Sequence, residues 1–319
     1  MRRFTIFSVA AMLVIALNAC DGGYRQQLPQ IAGPSSQNAT KNGGALLYLG
    51  QPYQNKISIF PYAHGVAGSA IATINILSEN GICSDNNGNV YVPTGSDRNI
   101  SVFEHGATSP TRTIRVSGYP LACAVDRSTG TLAVTVFTRF GKLTKDCLVY
   151  VYPHAQAPGK KYLSFKSFAN AESIAYDNLH DLFVVSNTCG RHHQCSPYEL
   201  YELTPGADAF RQVYLKGLTF ARPVEIAWTN RGLLLASSGT LQSRSTGFTL
   251  SIRNYVASVL NTIPFANSRT VNNIAVDDGL AIVTNDTANA VDTYRVRTGK
   301  PISILSGGLG EPFGITISR

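Results

Sequence analysis

Apolar and polar residues alternate along most of this chain in short runs, each ended by Gly, Asn or Asp. Such runs, rich in Val, Ile, Tyr, Phe and Thr, read as β-strands bounded by turns. After residue 44 no stretch holds apolar residues at helical spacing for long enough to predict an amphipathic helix. One plan then returns along the chain: a small-apolar-x-Asp strand, a turn, a β-rich strand, a loop, and an alternating strand ending near an aromatic. The first copy is Gly81–Asp85, Asn89–Val92 and Ile100–Phe103; the second is Leu121–Asp126, Thr131–Val134 and Leu148–Tyr152. A third runs Ser173–Asp177, Leu182–Val185 and Leu200–Leu203; a fourth Glu225–Trp228, Leu233–Ala236 and Phe248–Ile252; a fifth Asn273–Asp277, Leu280–Val283 and Val291–Tyr294. Short fourth strands are expected at 111–116, 162–165 and 212–215.

The sixth copy is split between the ends of the chain. Phe313–Ile317 supplies its first strand, and Ala45–Leu49 with Ile57–Phe60 supplies later ones. A ring that both termini close explains the split, because pairing them removes two exposed sheet edges. Copies begin about 40–50 residues apart, the length of one four-stranded blade. The sequence therefore predicts an all-β fold: a six-bladed β-propeller of four-stranded blades over residues 45–319, closed by pairing of the N- and C-terminal strands. A β-sandwich would not repeat a fixed four-part unit and complete its last copy from the other terminus.

The repeat resembles that of NHL-type and related six-bladed propellers. The resemblance spans Ala45 to Arg319 and rests on the G-I-A-x-D, G-N-V-Y-V and I-S-V-F plan, seen best around Asp85–Asn89 and Asp126–Gly130. It implies a fold and not an activity, since propellers host many unrelated roles.

The first 44 residues follow other rules. Arg2 and Arg3 precede an apolar run from Phe4 to Leu17, which meets Leu17-Asn18-Ala19-Cys20. The run is too short for a spanning helix and reads as a signal peptide over residues 1–20. Its end resembles the lipobox of bacterial lipoproteins, which implies lipidation of Cys20; ordinary secretion is the alternative. Residues 21–44 are Gly, Gln, Asn, Ser and Pro with few apolar side chains, and read as a flexible tether. The expectation is an exported lipoprotein, anchored to a membrane and facing the periplasm or the cell surface.

Charge narrows the partners only slightly. The chain carries +8 in all, of which Arg2 and Arg3 leave with a signal peptide. That balance suits an anionic lipid surface or a polyanion, and export argues against nucleic acid.

The blade plan also sorts residues by face. With the strands of one copy lettered a to d in chain order, strand a lining the central channel, the starts of the a strands and the b–c loops share one face; the a–b and c–d turns share the other. Three b–c loops, 138–146, 187–198 and 238–247, are long and fall on consecutive copies. They hold Arg139, Lys142, Lys145, Arg191, His192, His193 and Arg244, a positive arc suited to an envelope protein, an anionic small molecule or a glycan. The same charges also read as ordinary solvated loops. His64, His105 and His154 follow third strands as turn residues, and no catalytic role is assigned to them.

Five cysteines follow Cys20. Cys189 and Cys195 bracket Gly-Arg-His-His-Gln; a disulfide between them is simpler than a zinc site, because their spacing fits neither common zinc pairing. Cys83 and Cys123 fall in first strands and read as small buried apolar residues. The pairing of Cys147 is left open.

No G-x-S-x-G, H-E-x-x-H, P-loop or G-x-G-x-x-G motif occurs, so no catalytic residue is assigned. One enzymatic reading comes from a distant similarity to gluconolactonase-like propellers, where oxygen ligands at first-strand starts hold a divalent cation. That similarity implies a cation such as calcium on Asn80, Glu172 and Asn272, in a metal-dependent lactonase or esterase-like hydrolase. Leu121, Val224 and Phe313 fill the other three starting positions, and a polar rim without metal is the competing reading. The primary expectation is a non-catalytic binding propeller with no cofactor, docking its ligand on the b–c face.

Overall fold

The computed structural model describes residues 43–77, 81–138, 147–162, 170–187, 196–220, 224–239 and 244–319. Near the N-terminus lie β1 (Leu46–Gln51), β2 (Lys56–Ala63), β3 (Val66–Ala67) and β4 (Ala72–Ile74). Then come β5 (Cys83–Ser84), β6 (Val90–Thr94), β7 (Asn99–Phe103) and β8 (Arg112–Arg115), which form a four-stranded meander. A second meander holds β9 (Tyr119–Asp126), β10 (Thr131–Phe137), β11 (Cys147–Tyr152) and β12 (Lys160–Tyr162). The next eight strands share one sheet: β13 (Asn170–Tyr176), β14 (Leu182–Asn187), β15 (Glu199–Leu203), β16 (Arg211–Leu215), β17 (Val224–Thr229), β18 (Gly232–Ser237), β19 (Thr246–Arg253) and β20 (Val256–Pro264). Last come β21 (Ile274–Asp277), β22 (Leu280–Asn285), β23 (Ala290–Arg295) and β24 (Pro301–Ser306) in one sheet, and β25 (Ile315–Ser318).

The eight-stranded sheet consists of two antiparallel meanders, β13–β16 and β17–β20, joined where the outer strands β16 and β20 pair in parallel. Nothing in the strand pattern announces that junction. The outer strands β20 and β24 are not predicted from the sequence, because their alternation is weak: β20 exposes six of its nine residues.

The architecture is all-β, a propeller-like ring of sheets. Inner strands neighbour one another in the order β5, β9, β13, β17, β21, β25 and back to β5. A single meander has two apolar faces and no partner of its own, so each face must be covered by the next meander along. The described core is accordingly divided into clusters that each sit between two neighbouring units. Alternation within one strand serves two clusters: in β1, Leu46 and Tyr48 face the β5–β8 unit while Leu47 and Leu49 face the β21–β24 unit.

Closure follows the expectation from the split copy. β25 pairs antiparallel with β1 from Leu46↔Ser318 to Leu49↔Ile315. Side chains reinforce it from the neighbouring unit. Ser84 Oγ donates to Ile317 O at 2.7 Å, Ser318 Oγ donates to Gly88 O at 2.6 Å, and His105 Nδ1 meets Ser318 Oγ at 2.8 Å. His105 is thus a closure residue, while His64 and His154 hold positive φ in turns.

The recurring Asp at the end of the first strand has a local cause. Asp85 Oδ1 accepts the amides of Asn87 and Asn89, Asp126 Oδ1 that of Ser128, and Asp177 Oδ1 those of Leu179 and Asp181. Each carboxylate closes its own a–b turn. Where the fourth copy has Thr229 instead, its Oγ1 accepts from Arg231 N and donates to Gly232 O.

Cys83 and Cys123 correct the expectation that they are merely small apolar side chains. They form a disulfide between the adjacent inner strands β5 and β9, with Cα atoms 5.7 Å apart. The approach of these strands also explains Gly81, whose N donates to Leu121 O and where a Cβ would lie 2.7 Å from Ala122 Cα. Cys147 is buried in β11; Cys189 and Cys195 lie outside the described residues.

The disulfide closes a sequence separation of 40, for which loop entropy gives about 4 kcal/mol. A Cys83→Ser/Cys123→Ser variant is expected to lose up to that amount of unfolding free energy in urea titration while keeping its β-sheet circular dichroism. Deletion of residues 315–319, which strips β1 of its partner, is expected to abolish the cooperative transition altogether.

Candidate functional site

Small side chains on converging strands leave a space at the ring axis. A cavity of about 440 Å³ runs along the inner strands, walled by Ile82, Ala122, Ala124, Ile174, Ala175, Ile226, Ala227, Ile274, Ala275 and Ile315. Its exposed lining residues, Asn86, Arg127, Ser128, Asn178 and His180, all belong to a–b turns. The cavity therefore opens on the a–b face, opposite the b–c loops. Its size falls in the usual range for small-molecule sites, and its apolar wall with a polar rim is the usual composition.

The rim is ordered by one carboxylate. Asp126, 4% exposed, takes Ser128 Oγ at 2.8 Å on Oδ1, and Thr129 Oγ1 at 2.7 Å and His180 Nδ1 at 2.9 Å on Oδ2. Burial raises the Asp126 pKa, but the Thr129 and Ser128 hydroxyls, the Ser128 amide and His180 outweigh it, leaving the carboxyl below its ordinary value. Asp126 thus stays ionised and ties together the turns of two neighbouring meanders. Ser, His and Asp in contact suggest a nucleophile relay, but the geometry is not one. Ser128 Oγ and Asp126 Oδ2 both approach the same ring nitrogen, His180 Nδ1. A relay needs nucleophile and orienting carboxylate on opposite nitrogens, and here the Ser128 hydroxyl donates to Asp126. The cluster makes a rigid rim.

Deeper in the wall sits Trp228, the chain's single tryptophan. Its ring stacks on Phe183 of the preceding meander with 4° between planes and 6.5 Å between centroids. Glu202 pairs across the sheet with Phe183 and shares its face. Glu202 is 8% exposed and its Oε2 has no hydrogen-bond partner. Burial, then the carboxylates of Asp181 and Asp177, push its pKa up to about 7. Asp177 and Asp181 are themselves raised, in each case first by burial.

Most of the residues singled out from the sequence fall outside the described residues. Arg139, Lys142, Lys145, Arg191, His192 and His193 lie outside the described residues, as do Asn80, Cys189 and Cys195. Arg244 is exposed just ahead of β19, on the b–c side. Glu172 lies in β13, and its side chain is outside what is described. Asn272 precedes β21 and its Nδ2 donates to Pro312 O at 3.4 Å. Among the described residues no group of three or more His, Cys, Asp or Glu is placed to hold a metal ion. These residues do not show a fit to a divalent cation.

The rim residues Ser128 and His180 were missed because neither belongs to a recognised motif. The available signal was positional: D-R-S-T-G and D-N-L-H-D end first strands of consecutive copies, so their turn side chains must meet at the channel mouth.

The ring of sheets around an axial cavity defines a β-propeller. Solved structures agree. One described as a nidogen/laminin complex aligns with a TM-score of 0.65 and 16% identity over 86% of this chain and 99% of that one. A protein of unknown function from Bacteroides caccae aligns with a TM-score of 0.62 and 11% identity over the same shares. A functionally unknown protein from Desulfotomaculum acetoxidans follows at 0.57 and 8%, again over 86% and 99%. At such identities the likeness shows the fold alone. No protein-family model and no curated protein matches the chain.

The raised Glu202 pKa has a consequence for stability. From an ordinary value of 4.5 to about 7 the folded chain holds a proton that the unfolded chain releases. The Glu202 contribution is therefore most favourable at the acid end of that window and is lost as pH rises through it. Glu202→Gln is expected to raise the thermal midpoint above about pH 7 and leave it unchanged near pH 4.5, read by differential scanning calorimetry across pH.

Proposed function

We propose that this chain is a non-catalytic binding propeller of six blades, held at a bacterial envelope through a lipidated Cys20. The count of six takes each four-stranded meander as one blade, divides the eight-stranded sheet at its parallel junction, and completes the last blade with β25. The observation that carries the binding reading is the axial cavity: a rigid apolar socket with an ordered polar rim at Asp126, Ser128 and His180. The nidogen/laminin structure is a protein complex with the same fold, which is in keeping with this use. Anchoring rests on the Arg2–Arg3 start, the apolar run and the Cys20 lipobox. The ligand enters the socket from the a–b face. The positive b–c arc around Arg244 is the competing surface, suited to an anionic envelope partner.

The test compares the two faces. A photo-reactive amino acid is placed in intact cells at Arg127 on the a–b rim or at Arg244 on the b–c face. A discrete adduct from the Arg127 position is expected. Adducts from the Arg244 position alone move binding to the loop arc, and none from either face overturns the binding reading. Elemental analysis of the purified chain is expected to find no stoichiometric calcium, zinc, manganese or magnesium. A stoichiometric metal lost in Glu172→Ala favours the hydrolase reading instead. The mass of the mature N-terminal peptide is expected to include lipid on Cys20, and an unmodified Cys20 ends the anchoring proposal.

A further inference from the structure

The outer edge where β16 and β20 pair differs from the rest of the described rim. Tyr214 N donates to Tyr255 O at 2.8 Å and Lys216 N to Ala257 O at 3.2 Å, fixing Tyr214 opposite Val256. Tyr214 is 65% exposed, Val256 and Val259 40%, and Leu260 58%. Leu260 stands out for a backbone reason. The register between β19 and β20 slips, with Leu250 opposite Val259 and Thr249 opposite Asn261, so Leu260 is the extra residue of a bulge. The result is a cluster of large apolar side chains turned to solvent along one edge.

Its surroundings are positive. Arg211 lies over the Tyr255 ring at 5.2 Å, Arg253 pairs with Val256, and Lys216 continues β16. The Arg297 carbonyl accepts Asn261 Nδ2 at 3.2 Å, which sets the backbone of a fourth basic residue against β20. All four side chains are exposed. Between Asp208 and Asp277 the sequence contains seven Arg or Lys and a single carboxylate, Glu225, which is buried. No negative side chain in that stretch offsets the edge at its surface.

We infer that this edge docks on an anionic lipid surface, with Tyr214, Val256 and Leu260 entering the headgroup layer and Arg211, Lys216, Arg253 and Arg297 meeting lipid phosphates. Exposed aromatic and aliphatic side chains ringed by Lys and Arg are the composition of interfacial membrane contacts. A protein partner for an apolar edge would need carboxylates to answer four cations, whereas an anionic bilayer presents that charge everywhere. The inference extends the envelope-anchored reading by stating which side of the propeller the membrane covers.

The test uses the native chain on two kinds of vesicle, phosphatidylethanolamine mixed with phosphatidylglycerol or with phosphatidylcholine, followed by hydroxyl-radical footprinting and mass spectrometry. Labelling of Tyr214 and Leu260 is expected to fall several-fold on the phosphatidylglycerol vesicles alone. High salt, or a Lys216→Glu/Arg253→Glu variant of unchanged thermal midpoint, is expected to restore it. At about 1 kcal/mol for each basic residue near such a surface, removing two weakens docking about 30-fold. Equal labelling on both vesicles overturns the inference. So does protection without vesicles that grows with protein concentration, which assigns the edge to a second copy. If Cys20 carries no lipid, the same comparison is made by adding vesicles to the soluble chain, so failure of the anchor and failure of the edge are read separately.

Discussion

Antiparallel pairing of Leu46–Leu49 with Ile315–Ser318 is the contact on which the rest of this molecule depends. Leu46, Leu47, Tyr48 and Leu49 are each no more than 1% exposed, and they divide between two different clusters. Burying one such side chain contributes about 1.5–3 kcal/mol. Without β25 the blade that the two termini build together has no inner strand, and both clusters that it walls open to water. A ring differs in this respect from an open stack: its end units have no spare face to cap with polar residues, so the termini must find each other.

Closure also explains why the axis has a cavity and what lines it. Inner strands that converge around an axis leave room only for small residues where they touch, as at Gly81 and Ala122, and the disulfide between Cys83 and Cys123 sits at that close approach. Farther along the axis the strands end in a–b turns whose carboxylates serve their own backbone. Asp126 also reaches across to another meander through His180, and Asp277 does so through Arg319. The rim is therefore assembled from turn chemistry that each blade needs anyway, and its rigidity comes from the same hydrogen bonds. Glu202 is the costly member of this region, a buried carboxyl held beside two others.

The outer side of the ring follows a different rule. Outer strands have no neighbour to pair with, and most are short or polar, as β8 and β12 are. β16 and β20 escape an open edge by pairing with each other in parallel, yet they leave Tyr214 and the bulged Leu260 in solvent. An edge so treated is either a liability or a contact surface. The arginine and lysine residues around it are what favour the proposed contact surface.

Local pattern determined the strands and their order. Alternation marked every first, second and third strand, the Asp and Gly turns marked their ends, and the split sixth copy required the termini to pair, because each of these signals acts between residues close in sequence or within one repeat. What only the tertiary structure decided are the meetings between blades. Cys83 with Cys123, Asp126 with His180, Phe183 with Trp228 and Tyr214 with Val256 each join residues from different blades. A repeat states the plan of one blade; the rotation that sets a blade against the next is fixed by packing around the whole ring, and no single copy encodes it.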